Sequence, residues 1–575
     1  MRRRHLQKCL LPILMIAIVL AACRVNHHPD TSNFAEFSPY TRIRNDFAPN
    51  WSPDGSAILF SREQDRTVSI WAANADAQGL RKILGDAMLP DYAPSGRLLV
   101  FSSGRRSAWY DLQAIVGPRP PALWLADAAG QNGRRLLATA GPMLDPVWSP
   151  NGEQVAFTGF PGPQVMITDS QGHKAIPFAD GWSPAWSPNG EQIAYYACES
   201  MMLGARCRII IKALNTGKAR TLSSIALRLP ALGRPSLQWS RDGTRLLTTG
   251  MENGAMIPIV IAAEDGQIER KIRVPGSVTH PRWSPPEDRI VYSYTDTAHP
   301  MTIEVQRPAD GTRTRISPGP GFVAAQLVSF KSADGNEIPS WLYVPAKPGP
   351  KRKAIVWLHG GLPGTACMLN QFEPAIQYFV ANGFVVLVPN YRGSIGFGSL
   401  LENPGSIDPL PDVSAAVKYL RGVSAVDSSR IALVGFSFGG YLTLRAISEQ
   451  PDLVAAAVDF FGPSDLTTYY RKNAATRPLL NALMGGSPEQ KPEVYDRLSP
   501  IQHVDKIQVP LLALYGEHDP DYDEALALRD RLVQAHKRFE YLSYPSAGHG
   551  FEGADDVDAN QQTMRFLMTH LRSSS

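Results

Sequence analysis

The pattern of apolar and polar positions changes character once along the chain. Between residues 40 and 320 the apolar residues come in short runs, each opening after a turn of aromatic-Ser-Pro-polar-Gly type. Trp51-Ser52-Pro53-Asp54-Gly55 returns as Tyr92-Ala93-Pro94-Ser95-Gly96, Trp148-Ser149-Pro150-Asn151-Gly152 and Trp186-Ser187-Pro188-Asn189-Gly190. Trp239-Ser240-Arg241-Asp242-Gly243 and Trp283-Ser284-Pro285-Pro286-Glu287 are weaker copies. The runs that follow, such as Ile58-Leu59-Phe60, Val155-Ala156-Phe157 and Ile290-Val291-Tyr292, have the length and β-branched character of strands. A second run and a second turn complete most units, as in Val165–Asp169 before Gly172. The interval averages about 46 residues, within the range of propeller blades. Six units are legible, and the pattern predicts a β-propeller in which the aromatic of each turn packs between blades.

From residue 325 the runs lengthen. Two strands are expected around the Asp334-Gly335 turn, and an exposed loop from Pro345 to Lys353. Continuous apolar runs then stand at Ala354–Leu358, Phe384–Val388, Ile431–Val434, Ala455–Phe460 and Leu511–Tyr515. Helical patterns separate them, including Phe372–Ala381 and Val413–Leu420 with Asp412 at its start. Strands buried on both faces and alternating with helices predict a mainly parallel, doubly wound sheet.

The N-terminus follows neither pattern. Arg2 to Lys8 is basic, Cys9 to Val19 is apolar, and Leu20-Ala21-Ala22-Cys23 follows. This has the form of a secretory signal, too short for a transmembrane span. Its last four residues resemble a bacterial lipobox, which implies a lipidated Cys23 and a membrane-tethered, periplasmic protein; Arg24 leans toward the outer membrane. The remaining composition excludes more than it adds. With 575 residues, 44% hydrophobic and 19% charged, the chain holds large cores, and a net charge of +4 with no basic stripe gives no sign of nucleic acid. Cys198 and Cys207 flank the loop of an expected hairpin, where a disulfide and two thiols are equally consistent, and Cys367 has no evident partner. No Cys/His spacing suggests a metal, and nothing in the chain calls for a cofactor.

The candidate chemistry lies in the second half. Ile431–Val434 stops at Gly435-Phe436-Ser437-Phe438-Gly439, and a helical pattern begins at once. A strand, a tight turn with flanking glycines and a helix form a nucleophile elbow, which exposes Ser437 at a helix N-terminus. Asp519 stands just past Leu511–Tyr515, and His549 in the loop after the last strand; the order Ser, Asp, His is that of α/β-hydrolases. His549 is then the base for Ser437, and Asp519 the group that orients it. For the oxyanion the candidate donors are the N–H of Phe438 and that of Gly361 in His359-Gly360-Gly361.

These motifs resemble the acylaminoacyl-peptidase branch of the prolyl oligopeptidase family of serine peptidases. The likeness rests on His359-Gly360-Gly361, Pro389-Asn390-Tyr391-Arg392-Gly393, Gly435 to Tyr441, Gly485-Gly486-Ser487, Ser499-Pro500-Ile501 and Gly548-His549-Gly550-Phe551. The turn repeats are similar to those of that family and of periplasmic Tol-system propellers. The resemblance implies a propeller of seven blades, one of them degenerate, at 40–324 and an α/β-hydrolase domain at 325–575, after a signal peptide (1–22) and a tether (23–39). It implies hydrolysis of short peptides or N-acyl-aminoacyl bonds, with the propeller gating access, and a structural role for the Arg392 loop. Leu362 replaces the family's proline after His-Gly-Gly, and Phe438 its tyrosine. The acid loop Gly516-Glu517-His518-Asp519-Pro520-Asp521 departs too, so Asp521 stands as an alternative acid. Phe438, Phe461, Tyr469 and Tyr470 are candidates for an apolar substrate pocket. A carboxylesterase of the same fold, and a binding protein with a vestigial hydrolase, are the competing expectations.

Overall fold

In the computed structural model, the described residues are 36–65, 67–104, 120–137, 141–160, 162–199, 206–222, 227–228, 236–347, 349–398 and 408–572. The signal segment and Cys23 lie outside them. Residues 45–315 form six sheets, each of four antiparallel strands in sequence order, the fourth with a short extra strand, Leu227–Arg228. The innermost strand of each sheet ends at the aromatic of its repeat, and the turn that follows opens the second strand. The first and sixth sheets meet directly: Trp51 Nε1 donates to the Arg282 carbonyl at 3.2 Å, and the Ala48 N–H to Ser293 Oγ at 3.0 Å. The ring therefore closes with six blades, and the expected seventh has no place between the first and the last.

The repeat explains the closure. The aromatics pack between blades, and Trp186 and Trp239 each donate Nε1 to a carbonyl of the preceding blade. A Cβ placed on Gly96, Gly152, Gly190 or Gly243 would face the repeat proline of the preceding blade at 3.7–3.8 Å, and one on Gly55 would face Pro285 at 3.3 Å. The two degenerate repeats meet each other at the remaining junction. Arg241 stands where a proline is usual and Glu287 where a glycine is usual, and the Arg241 N–H donates to the Glu287 carboxylate. Glu287 also pairs with Arg245 at 3.4 Å and keeps the left-handed φ of 59° that its turn demands.

Residues 326–544 form one eight-stranded sheet. In spatial order its strands are Gln326–Lys331, Glu337–Tyr343, Val385–Pro389, Arg352–Leu358, Val426–Phe436, Ala456–Phe460, Leu511–Gly516 and Phe539–Tyr544. The second is antiparallel to both of its neighbours, and the last six run parallel to one another. Both faces are covered: Ile431 and Leu433 pack under the helices Leu410–Gly422 and Phe438–Glu449, and Ala432 and Val434 join the layer containing Pro374–Ala381 and Ala554–His570. Phe37, in the stretch read as tether, is buried in that second layer with its ring 5.0 Å from Tyr378.

The loops after Arg352–Leu358 and Val385–Pro389 carry the contact between the domains. Cys367, Leu369 and Ile395 share an apolar cluster with Phe47, Leu89, Met256 and Met301 of the propeller. Asn370 donates its N–H to the Gly254 carbonyl and its Nδ2 to that of Pro275. The propeller thus sits over the C-terminal edge of the parallel strands, with its repeat turns on the far face. A disulfide joins Cys198 and Cys207 in the fourth blade.

Candidate active site

Ser437 caps the helix Phe438–Glu449 with φ 53° and ψ −118°, a backbone conformation that side chains avoid. It is held there by the Ser437 N–H to the Phe460 carbonyl and by close packing at both glycines of the turn. A Cβ on Gly435 would lie 2.0 Å from the Gly439 carbonyl oxygen, and one on Gly439 would lie 2.1 Å from that of Leu358. Only glycine fits either place, which is why the motif needs both.

His549 Nε2 lies 2.9 Å from Ser437 Oγ, and its Nδ1 lies 2.8 Å from Asp519 Oδ2. The other oxygen of Asp519 accepts the Asp521 N–H at 3.0 Å. The loops carrying the two residues are joined by backbone hydrogen bonds from Glu517 to Tyr544 and from His518 to Ala547. Burial alone lowers the imidazole's pKa; the hydrogen bond and charge of Asp519, with the charge of Asp521, outweigh it and raise it above the usual 6.5. Asp521 itself turns to Asn473, whose Nδ2 donates to it at 2.9 Å, so it is not the partner of the histidine. Burial, reinforced by the charge of Asp519, raises its pKa.

Phe438 is the first residue of its helix, so its N–H has no helical partner. Gly360 lies against the nucleophile: a Cβ there would come within 3.2 Å of Ser437 Cβ. Gly361 follows at φ 91°, where a Cβ would overlap Ala366. His359 is buried, stacked on Tyr391 and bonded through Nε2 to Ser394 Oγ at 3.0 Å; burial lowers its pKa to about 4, so it is a neutral brace. Arg392 is tied into the same loop by Asp412 at 2.6 Å.

Two supporting carboxyls gave no signal in the sequence. Asp459, on the strand beside the elbow, accepts the Gly462 N–H at 2.9 Å and the Tyr515 hydroxyl, and burial raises its pKa to about 7. Glu524 accepts the N–H groups of Ser464 and Asp465, and burial raises its pKa to about 8. Of the four aromatics expected in a pocket, Phe438 and Tyr469 line a cavity beside the nucleophile. Phe461 packs on the His549 ring at 4.9 Å, and Tyr470 packs on Tyr495. Leu362 lines the cavity as well.

Fold and geometry together define a serine hydrolase of the α/β-hydrolase class covered by a β-propeller. The chain belongs to the prolyl oligopeptidase family, whose profile matches residues 370–574. It is 30% identical over 222 residues to the uncharacterized peptidase YtmA of Bacillus subtilis, covering 38% of this chain and 84% of that protein. It is 33% identical over 210 residues to dipeptidyl aminopeptidase BIII of Pseudoxanthomonas mexicana; this alignment covers 33% of the chain but only 30% of the relative. The fold extends over both domains in the acylaminoacyl peptidase of Pyrococcus horikoshii, with a TM-score of 0.73 at 16% identity, covering 94% of this chain and 98% of that one.

Proposed function

We propose that the protein is a serine peptidase cleaving short peptides or N-acyl-aminoacyl bonds, with the propeller limiting which substrates reach the site. The observation that carries this reading is the Ser437–His549–Asp519 relay, at 2.9 and 2.8 Å, on a strained elbow. In the proposed reaction His549 takes the Ser437 proton as Oγ attacks the carbonyl, then returns it to the leaving amine. Asp519 holds the Nδ1–H tautomer and stabilises the imidazolium. The N–H groups of Phe438 and Gly361 receive the oxyanion. Water then releases the acyl group by the same steps.

The waist of the propeller channel supports the gating. In five of its blades the inner strand breaks at a residue before proline held at positive φ: Ala48, Leu89, Asp145, Ser183 and His280. These residues line a cavity of about 40 Å³ together with Asp91 and Arg282. A space of that size holds a few waters. Lipidation of Cys23 and a place on the periplasmic face of the outer membrane belong to the same proposal, supported by the lipobox-like segment and the Cys198–Cys207 disulfide.

A panel of N-acyl-aminoacyl amides, dipeptidyl amides and simple esters tests the function. Amide turnover that disappears in Ser437→Ala is the expected result. Ester turnover without amide turnover favours a carboxylesterase, and no turnover of either favours a binding protein.

A further inference from the structure

The cavity beside the nucleophile holds about 210 Å³. One wall is the helix Phe438–Glu449, whose Phe438, Tyr441 and Arg445 line it at spacings of three and four residues and so share one face. The opposite wall is apolar, with Leu466, Leu480 and Met484. From Ser437 to Arg445 the helix rises about 12 Å. Helical side chains lean toward the N-terminus, and the Arg445 guanidinium lies over the Tyr441 ring, 5.8 Å from its centre. The cavity therefore runs back from the nucleophile by about one large side chain and ends on charged groups, Asp408, Arg445 and Arg497.

Those groups are unequally occupied. Arg445 donates Nη1 and Nη2 to the two oxygens of Asp408, at 2.8 and 3.2 Å, and Nε to Glu449 at 2.7 Å. The side chain of Arg445 is 3% exposed and all three nitrogens are bonded. Asp408 is 48% exposed, and besides Arg445 it accepts only the Leu410 N–H among the described residues. A carboxylate offers about four acceptor directions, and Asp408 lines the cavity with three donors on it, so it retains capacity for one more. Burial raises its pKa, but the hydrogen bond and charge of Arg445, with the Leu410 N–H and the charge of Arg497, outweigh this and lower it.

In the peptidase reading this cavity takes the side chain on the acyl side of the scissile bond; we propose that Asp408, at its far end, selects a large aromatic residue bearing a donor at its tip, tyrosine above phenylalanine. The proposal rests on the peptidase reading and adds its substrate class. Apolar walls favour a ring over a methyl group. A charged tip of either sign meets a like charge there, a carboxylate Asp408 and an ammonium Arg445 and Arg497, and pays the desolvation of a charge. A phenol brings one donor and no charge.

The test is kcat/KM for acylated amides that differ only at this residue, with Tyr, Phe, Ala, Glu and Lys. Tyrosine should exceed phenylalanine by about tenfold, and phenylalanine alanine by about a hundredfold. In Asp408→Ala the tyrosine-to-phenylalanine ratio should fall to about one. Fluorophosphonate labelling of Ser437 and a thermal melt report whether each variant is folded; if Asp408→Ala is not, Asp408→Asn should narrow the ratio in a folded protein. Equal wild-type rates for Tyr and Phe, or an unchanged ratio in the folded variant, would overturn the proposal while leaving a labelled Ser437 and the peptidase reading intact. A wild-type protein that does not label would remove both.

Discussion

At the scale of residues, the site depends on two hydrogen bonds and a strained serine. Ser437→Ala and His549→Ala should each lower kcat/KM by about 10⁵–10⁶, since nucleophile and base act as one unit. Asp519→Asn should cost about 10⁴ through loss of the orienting acceptor. Asp521→Asn should cost less than about tenfold, because its oxygen faces Asn473 rather than the imidazole. The pH profile follows from the raised pKa of His549. The base must be neutral, so activity should fall as pH drops through a value above 6.5, and in Asp521→Asn that limb should move to lower pH. Asp459 has the opposite kind of signature. Its carboxyl moves from 3.8 to about 7 on folding, so between those values the folded protein keeps a proton that the unfolded chain releases. Stability contributed by this group is greatest at low pH and declines as pH rises toward 7, by up to about 4 kcal/mol. Urea denaturation at pH 5 and pH 7 should show that decline weakened in Asp459→Asn.

At the scale of elements, the elbow was legible in the sequence because its causes are local. Gly435 and Gly439 are set by contacts within the strand–turn–helix itself and the strand beside it. The repeats were legible for the same reason, and the choice of Asp519 over Asp521 followed from its spacing to Gly516. What sequence could not reveal depends on partners far apart in the chain. Asp459 needs Tyr515, Glu524 needs the Ser464 turn, and Asp408 needs Arg445. The missing blade has a related cause. The resemblance implied a further unit, whereas the closure is set by Trp51 and Gly55 meeting Arg282 and Pro285 more than 200 residues later. The two weaker copies of the repeat bond to each other through the Arg241 N–H and the Glu287 carboxylate. Restoring the regular residues should therefore be non-additive. Arg241→Pro and Glu287→Gly should each destabilise, and the double variant should recover about 1 kcal/mol relative to their sum in a denaturation cycle.

At the scale of the whole molecule, the propeller covers the edge that carries Ser437, and the breaks in its inner strands line a cavity of about 40 Å³. In the proposed gating a substrate enters the space between the domains, which favours short peptides over folded proteins. One sequence offered as a short acylated peptide, as a long unfolded chain and within a folded protein should be cleaved rapidly only in the first form. Comparable rates in the folded form would sink the gating. Separating the domains exposes Leu369 and Ile395, buried now against Met256 and Met301, so residues 325–575 alone should melt at lower temperature than the full chain.

The central claim is that Ser437 is the nucleophile, and one measurement reaches it directly. Trypsin releases Ile431–Arg445 as a peptide with a single serine, because Arg430 precedes it and Arg445 ends it. The full-length protein is treated with a fluorophosphonate, digested and mapped by mass spectrometry. The account predicts one adduct, on Ser437 in that peptide, that fails to form in His549→Ala. An unmodified Ile431–Arg445 peptide, or an adduct on another serine with equal loss of amide turnover, would contradict it.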